Sequence, residues 1–272
     1  MIDSEAPIGV FDSGVGGLTV TRALVRCLPR EAVIYFGDTA RVPYGNKSAA
    51  TVQRYSLNIA SRLVEAGVKA IVVACNTASA MGAVEAIGET HQLEVMGVIE
   101  PVAAMAAKRS STRSIGVLGT RGTVASGAYE AALKARDEEI AVHAVACPLF
   151  VPLAEEGWIE GDVPSTVARR YLQAFSATDI DTLILGCTHY PLLSRVIEEA
   201  IQEVTGRDIA VLDSARATAM LLSESLERAD LGRRSPSQPE RRFWVTDSVE
   251  SFTEVSERFF GGPVGDVEHV DL

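Results

Sequence analysis

The chain lacks the features that mark membrane proteins and nucleic-acid-binding proteins. No uninterrupted apolar stretch among its 272 residues reaches the roughly 18 that a membrane-spanning helix requires. Cationic side chains are also scarce, because 25 Lys and Arg stand against 36 Asp and Glu, which gives a net charge of −11. A surface that neutralises phosphates needs clustered excess cation. We therefore expect neither a membrane nor a nucleic acid as a partner.

Cysteine is sparse and irregularly spaced. The four cysteines are Cys27, Cys75, Cys147 and Cys187, and no two of them form a CxxC motif. This spacing argues against a zinc ribbon and against a disulfide framework, so we expect no metal and reduced thiols. The N-terminal residues are acidic and carry no secretory-signal pattern, which together with the thiols predicts a cytoplasmic protein.

Short β-branched runs alternate with helical stretches along the chain. The runs over 8–11, 32–36, 70–74 and 95–99 have no polar alternation, which is typical of strands buried on both faces. The segment over 49–66 carries apolar residues at helical spacing. The alternation predicts an α/β protein with parallel sheets.

The C-terminal part adds one more unit. A polar loop over 228–242 precedes a predicted strand over 243–246 and a predicted helix over 249–260, which Gly261 ends.

The second half of the sequence repeats the first. Segments of the two halves match in the same order with a slowly drifting offset, which indicates an internal duplication. It predicts two similar lobes that face each other, related by a pseudo-twofold axis, with the active site in the crevice between them. The matched pairs are 8–13 with 115–120, 42–43 with 151–152, 70–75 with 182–187, and 98–100 with 211–213.

Cys75 and Cys187 occupy equivalent places in this repeat, since each follows a buried strand directly. Ligands of open α/β sheets bind outside the carboxyl ends of the strands, so both thiols should open into the crevice. A base on one face of a carbon and an acid on the other can invert its configuration by proton transfer. Cysteine can fill both roles because its ordinary pKa is about 8.5.

Polar side chains at equivalent strand ends can complete such a site. Ser13, Asn76, Thr77 and Thr188 offer hydroxyl or amide contacts to a carboxylate, beside the free N–H groups of a helix start. Four further groups can adjust the pKa of a thiol or hold a substrate ammonium. These are Asp12, Asp38, Glu155 and His189.

Structural roles compete with these interpretations. A lone cysteine is usually a small core residue, which is our interpretation of Cys27 and Cys147. Trp158 and Trp244 are interpreted as packing residues. His189 is also compatible with a buried structural histidine.

The glycine-rich segment over 12–17 has two simpler interpretations. Asp12, Ser13 and Gly14 can form a turn and a helix N-cap. The run over 14–17 departs from GxGxxG, because Thr19 occupies the third glycine position. It therefore predicts at most an anion-binding loop.

Four segments together resemble bacterial glutamate racemases, within the wider aspartate/glutamate racemase superfamily. The resemblance extends over residues 8–213, and the final strand and helix also fit it. The segments are GVFDSGVGGL at 9–18, YFGDTARVPYG at 35–45, ACNTAS at 74–79 and LGCTHYPL at 185–192.

The resemblance implies a cofactor-independent interconversion of L- and D-glutamate that supplies D-glutamate for peptidoglycan synthesis. It implies that Cys75 and Cys187 exchange the α-proton, that Asp12 supports Cys75, and that His189 with Glu155 supports Cys187. The substrate contacts that it implies are Asp12, Ser13, Tyr44, Gly45, Asn76, Thr77, Thr188 and His189.

The same resemblance implies a chain that crosses between lobes and assembles as a homodimer. Residues 1–98 plus 210–272 would form the first lobe, which carries Cys75, and residues 99–209 the second, which carries Cys187. An aspartate or hydantoin racemase is a near alternative, although Tyr44-Gly45 and the segment at 187–191 favour glutamate. A redox protein, in which the two thiols form a switchable disulfide, is the alternative from another class.

Overall fold

Ten strands form two separate parallel sheets in the computed structural model, which describes residues 2–272. The strands of the first sheet are β1 (Ile8–Asp12), β2 (Val33–Gly37), β3 (Ala70–Val73), β4 (Glu94–Gly97), β9 (Arg241–Val245) and β10 (Val267–His269). The strands of the second sheet are β5 (Ser114–Gly119), β6 (Ala141–Ala146), β7 (Thr182–Gly186) and β8 (Ala210–Asp213). All pairings between neighbouring strands are parallel.

Helices connect and cover the strands, as parallel sheets require. They are α1 (Leu18–Cys27), α2 (Ala49–Glu65), α3 (Asn76–Ala80), α4 (Ala83–Thr90), α5 (Ile99–Arg109), α6 (Arg121–Ala125), α7 (Ala128–Lys134), α8 (Phe150–Glu155), α9 (Asp162–Leu172), α10 (Ser194–Thr205), α11 (Ser214–Arg228) and α12 (Val249–Phe260). Short 3-10 turns lie at Thr39–Arg41, Tyr44–Asn46, Gln173–Phe175 and Tyr190–Leu193. No helix within residues 2–272 is both long and apolar enough to cross a bilayer.

The two sheets have the same internal order, which confirms the predicted α/β class with two similar parallel sheets. The first contains the order β2-β1-β3-β4 and the second the order β6-β5-β7-β8. The registers agree as well, because Ile8 pairs with Ala70 as Ile115 pairs with Thr182. The first sheet is longer because the C-terminal strands β9 and β10 extend it beyond β2.

Local sequence explains where the principal elements begin and end. Every residue of β1, β3 and β7 is buried, in keeping with their unbroken apolar runs. Ser48 caps α2, since its side chain accepts from the Thr51 N–H. Gly261 ends α12 in the left-handed conformation that glycine adopts without strain.

Two boundary predictions were wrong. The predicted strand over 95–99 is β4 over Glu94–Gly97, and Ile99 already starts α5, so the match of 98–100 with 211–213 joined a helix start to a strand. The predicted first lobe began again at residue 210. β8 instead pairs with β7, so the chain leaves the second sheet only after Asp213. Short apolar runs do not reveal which sheet a strand joins.

Two of the side chains interpreted as packing residues are exposed. Cys27 lies at the exposed end of α1, and 56% of Trp158 is accessible to solvent. Trp244 is buried and packs edge-on against Phe36, and Cys147 is buried, as predicted.

A buried ion pair ties the N-terminal segment to the loop that follows α11. The Lys69 Nζ lies 2.6 Å from a carboxylate oxygen of Glu31, and neither side chain is more than 4% exposed. The same Nζ donates to the main-chain oxygens of Ser4 and Leu231. The Arg233 N–H donates to the other Glu31 oxygen. Removing one member of such a buried ion pair leaves the other charge uncompensated, which strongly destabilises the fold.

Replacement of Lys69 by Met should destabilise the fold, because it leaves the Glu31 carboxylate buried without its cation. We expect a loss of about 3–5 kcal/mol in the free energy of unfolding, measured by urea denaturation. Arg62→Ala breaks an exposed ion pair with Glu65 and serves as the control, for which we expect little change. Equal effects of the two substitutions would contradict the importance of the buried pair.

Candidate active site

A cavity of about 330 Å³ lies between the carboxyl ends of the two sheets. Both thiols that the repeat singled out, Cys75 and Cys187, line it, although they are 112 residues apart in sequence (187 − 75) and follow strands of different sheets. The other predicted site residues in its wall are Ser13, Tyr44, Gly45, Asn76, Thr77, Glu155, Thr188 and His189.

Cys75 follows β3 and is the N-cap of α3. Its Sγ accepts from the Ala78 N–H at 3.4 Å and lies 3.7 Å from the Ser13 Oγ. Burial, together with the nearby Asp12 carboxylate, raises the pKa of Cys75 to about 12. The Cys75 thiol is therefore protonated at neutral pH.

Cys187 follows β7 and has an imidazole as its neighbour. Its Sγ lies 3.9 Å from the His189 Nδ1, and the His189 Nε2 lies 2.9 Å from a Glu155 carboxylate oxygen. Burial would lower the pKa of His189, but the bonds to Cys187 and Glu155 outweigh it and raise that pKa to about 10. The imidazole beside the Cys187 sulfur is therefore protonated at neutral pH.

Asp12 lies behind the cavity wall at the end of β1. Its Oδ2 accepts from the Gly14 N–H at 3.0 Å, and its buried Oδ1 has no partner among residues 2–272. Burial raises the pKa of Asp12, while the charge of His189 opposes that effect. The Asp12 carboxylate therefore interacts electrostatically with the Cys75 thiol and with the His189 imidazole next to Cys187.

The loop after β1 packs directly against the loop that carries Cys187. A Cβ atom on Gly16 would lie 2.3 Å from the Thr188 Oγ1 and 2.5 Å from the His189 ring, so only glycine permits this approach. The Thr19 hydroxyl donates to the Thr188 main-chain oxygen at 3.0 Å. These contacts hold the two halves of the site together.

Asn76 and Thr77 reach across to the second sheet's helices. The Tyr129 hydroxyl donates to the Asn76 Oδ1 at 2.6 Å, which leaves the buried Nδ2 without a partner among residues 2–272. The Thr77 hydroxyl lies 3.0 Å from that of Thr120 and 3.3 Å from that of Thr123.

The loop after β2 forms part of the cavity wall. The Tyr44 hydroxyl donates to the buried Asp38 carboxylate at 2.6 Å. A Cβ on Gly45 would lie 3.2 Å from the Thr120 side chain, so this loop also contacts the second half. Asp38 therefore holds the wall and does not itself line the cavity.

Sequence reasoning missed several residues of this site. Thr120 and Arg121 line the cavity, and Tyr129 orients Asn76. Thr120 could have been predicted from the sequence, because the repeat aligns it with the candidate site residue Ser13. Nothing in the sequence connected Tyr129 to Asn76, since their contact joins two lobes.

The arrangement suits proton transfer to and from one small molecule in the cavity, because both thiols line it. One thiol lies near the Asp12 carboxylate and the other beside the His189 imidazolium, so the charges next to the two thiols differ in sign. The cavity wall also presents several hydroxyl groups and an amide that has no partner among residues 2–272, and these groups suit a carboxylate ligand.

Comparisons with known proteins agree with this chemistry. The family model described as Asp/Glu/Hydantoin racemase matches residues 8–222, a region that ends before β9. Glutamate racemase of Geobacter metallireducens is 51% identical over 265 residues, which are 97% of this chain and 96% of that protein.

Solved structures extend the similarity to the whole fold. Glutamate racemase from Francisella tularensis in complex with D-glutamate has a TM-score of 0.91 at 37% identity, covering 98% of each chain. Glutamate racemase from Thermus thermophilus in complex with β-chloro-D-alanine has a TM-score of 0.88 at 47% identity, covering 99% of this chain and 98% of that one. Since the family model spans most of the sequence and these relatives span nearly all of it, the chain belongs to the Asp/Glu/Hydantoin racemase family.

Proposed function

We propose that this protein interconverts L- and D-glutamate by proton transfer between two cysteine thiols. The observation that carries the proposal is the shared cavity, which Cys75 and Cys187 both line. Glutamate is the substrate best supported, because relatives at 51% and 47% identity are glutamate racemases and a similar structure holds D-glutamate. A panel of amino acids tests this choice, and rapid turnover of aspartate without turnover of glutamate would overturn it.

The reaction moves one proton off the α-carbon and one proton onto it. A thiolate on one side takes the α-proton and becomes a thiol, and the electron pair of the broken C–H bond stays on carbon. The thiol on the opposite side then donates its proton to that carbon and becomes a thiolate. The product has inverted configuration, and the two sulfurs have exchanged protonation states.

The surroundings of the thiols assign their first roles. His189, protonated and bound to Glu155, places a positive charge 3.9 Å from the Cys187 Sγ, so we assign the first proton abstraction to Cys187. Cys75 keeps its proton beside the Asp12 carboxylate and is the acid. In the reverse reaction the two residues exchange roles.

Substrate binding follows from the unsatisfied groups. The Asn76 Nδ2, which has no partner among residues 2–272, suits a carboxylate, while Asp12 behind the cavity wall attracts the substrate ammonium through its charge. Hydroxyl groups of Ser13, Thr77 and Thr188 supply further contacts to carboxylate oxygens. Charge complementarity of this kind orients the α-carbon between the sulfurs.

An α-proton is weakly acidic, so the carbanion-like transition state must be stabilised. Fixed donors in an enclosed cavity do this best, because they need no reorganisation and interact strongly where water is excluded. The hydrogen bonds from Tyr129 to Asn76 and between Thr77 and Thr120 hold these donors in place. The D-glutamate formed would supply peptidoglycan synthesis, and the resemblance to the family implies no cofactor.

We also propose that the protein acts in the cytoplasm as a homodimer. The four cysteines are unpaired, and the chemistry needs free thiols, which suits a reducing compartment. Leu149, Trp158 and Val163 are 50–56% exposed on one segment, where a second copy could cover them.

Single Cys75→Ser and Cys187→Ser variants should each lose racemisation by at least about a hundredfold, because serine is too weak an acid and base to replace the thiol. The wild-type reaction in D₂O should place deuterium at the α-carbon mainly in the inverted enantiomer, measured by NMR from each enantiomer in turn. Cys27→Ser, outside the cavity, is the control and should stay fully active. Equal incorporation of deuterium into the inverted product and into the recovered starting enantiomer would instead indicate a single base.

Glu155→Gln should move the alkaline limb of the pH dependence of kcat/KM to lower pH. The carboxylate helps raise the pKa of His189 to about 10, so its neutralisation lets the imidazolium lose its proton earlier as the pH rises. We expect kcat/KM at pH 8 to fall roughly tenfold. Glu156→Gln, one residue farther along the exposed helix end, is the matched control. An unmoved alkaline limb in Glu155→Gln would rule out this role.

Sedimentation velocity of the full chain should give the mass of a dimer at micromolar concentration. Trp158→Ser should shift the equilibrium towards monomer, because it removes an exposed apolar contact. A monomer in the wild-type protein at this concentration would refute the proposed assembly.

A further inference from the structure

The C-terminal unit lies outside the region that the family model matches, yet it contacts both sides of the active site. We define this unit as residues 241–269, which contain β9, α12 and β10. β9 pairs with β2, and α12 packs against α1. From this position the unit reaches the loop after β2 and also the Cys187 half of the cavity.

The first contact runs through Thr246, which directly follows β9. Its hydroxyl donates to the Asp38 Oδ1 at 2.9 Å and accepts from the Ala40 N–H at 3.0 Å. Asp38 is completely buried and also accepts from Tyr44 at 2.6 Å and from Arg41 at 3.0 Å. One carboxylate therefore joins the C-terminal unit to the loop that carries Tyr44 and Gly45.

The second contact lies at the last turn of α12. The fully buried Phe259 ring meets the His189 ring edge-on, with 5.1 Å between centroids and an interplanar angle of 75°. Arg258 donates to the main-chain oxygens of Ala154, at 3.4 Å, and of Glu155. A cation on these carbonyls satisfies the C-terminal end of α8, which presents the Glu155 side chain to His189.

These two contacts have different chemical consequences. Thr246 acts on a substrate-binding loop, whereas Phe259 and Arg258 act on the two partners of the hydrogen bond between His189 and Glu155. Small displacements of groups that bind or transfer protons cost large factors in rate. Purely structural packing would instead alter stability and leave the kinetics of the folded protein unchanged.

We propose that Thr246, Arg258 and Phe259 are positioning residues, through which the C-terminal unit orients the substrate loop and the His189–Glu155 pair. The inference rests on the proposed racemase function and assigns a role to a unit that the matched region does not include. None of the three side chains touches the reacting atoms.

The charged and titratable groups that face His189 are Cys187, Glu155 and Asp12. Phe259 adds no charge to this set. A change in the pH dependence of a Phe259 variant therefore reports the position of the His189 ring relative to Glu155, and not the loss of a charge.

The experiment compares each variant with a matched control in the full chain. Thr246→Val should raise KM for glutamate about fivefold while kcat changes less than twofold, because it frees the loop without touching the thiols. Thr253→Val makes the same change on the exposed side of α12, where the hydroxyl only contacts its own helix. It should behave as wild type.

Phe259→Leu should lower kcat about tenfold and move the alkaline limb of kcat/KM to lower pH, because the His189–Glu155 bond loosens. Phe260→Leu is the control, since that ring packs on Phe243 and not on the site. Arg258→Lys keeps the charge but loses the guanidinium geometry, so it should reproduce part of the Phe259→Leu effect. Because Arg258 is exposed, this variant keeps the test valid if Phe259→Leu fails to fold.

Thermal unfolding of every variant separates positioning from stability. Normal kinetics in folded Thr246→Val, Phe259→Leu and Arg258→Lys would overturn the inference while leaving the racemase function intact. Absence of glutamate racemisation in the wild-type protein would instead overturn the proposed function itself.

Discussion

The site depends on one geometric constraint: the carboxyl ends of two parallel sheets face the same cavity. Parallel strands place their following loops at one edge, so the segments after β1, β3 and β7 meet there. The close approach at Gly16, against Thr188 and His189, holds the two edges together. Any change in the relation of the sheets would separate Cys75 from Cys187.

Electrostatics then distinguishes two residues that are chemically identical. Burial and Asp12 raise the pKa of the Cys75 thiol, whereas the protonated imidazole of His189 lies beside the Cys187 sulfur. An acidic chain with a net charge of −11 can still bind a dicarboxylate, because local donors such as the Asn76 amide outweigh the distant field. Glu155, at the edge of the cavity, sets how firmly the proton stays on His189.

The supporting residues are spread over the whole chain. Asp38 accepts hydrogen bonds from Tyr44 and Thr246. The loop that carries Tyr44 therefore depends on the end of β9, about two hundred residues later in the chain. Phe259 plays a comparable part for His189. Segments that are far apart in the sequence therefore share the wall of one small cavity.

Local pattern was sufficient for much of the architecture. Unbroken apolar runs predicted β1, β2 and β3, and the repeat added β7 and predicted that Cys75 and Cys187 would hold equivalent positions. Helix α12 was predicted with its observed bounds, because its periodicity ends at a glycine. These features depend on residues that are close together in the sequence, so local hydrophobic periodicity and helix-ending residues are sufficient to predict them.

The sequence alone therefore determined the α/β class, the duplication and the pair of thiols, since each of these depends on local periodicity and chain order. Only the tertiary structure decided that β8 joins the second sheet, that Tyr129 orients Asn76, and that Phe259 meets His189. Such contacts join residues far apart in the chain. Their free energy comes from packing and burial, for which a linear pattern carries no signal.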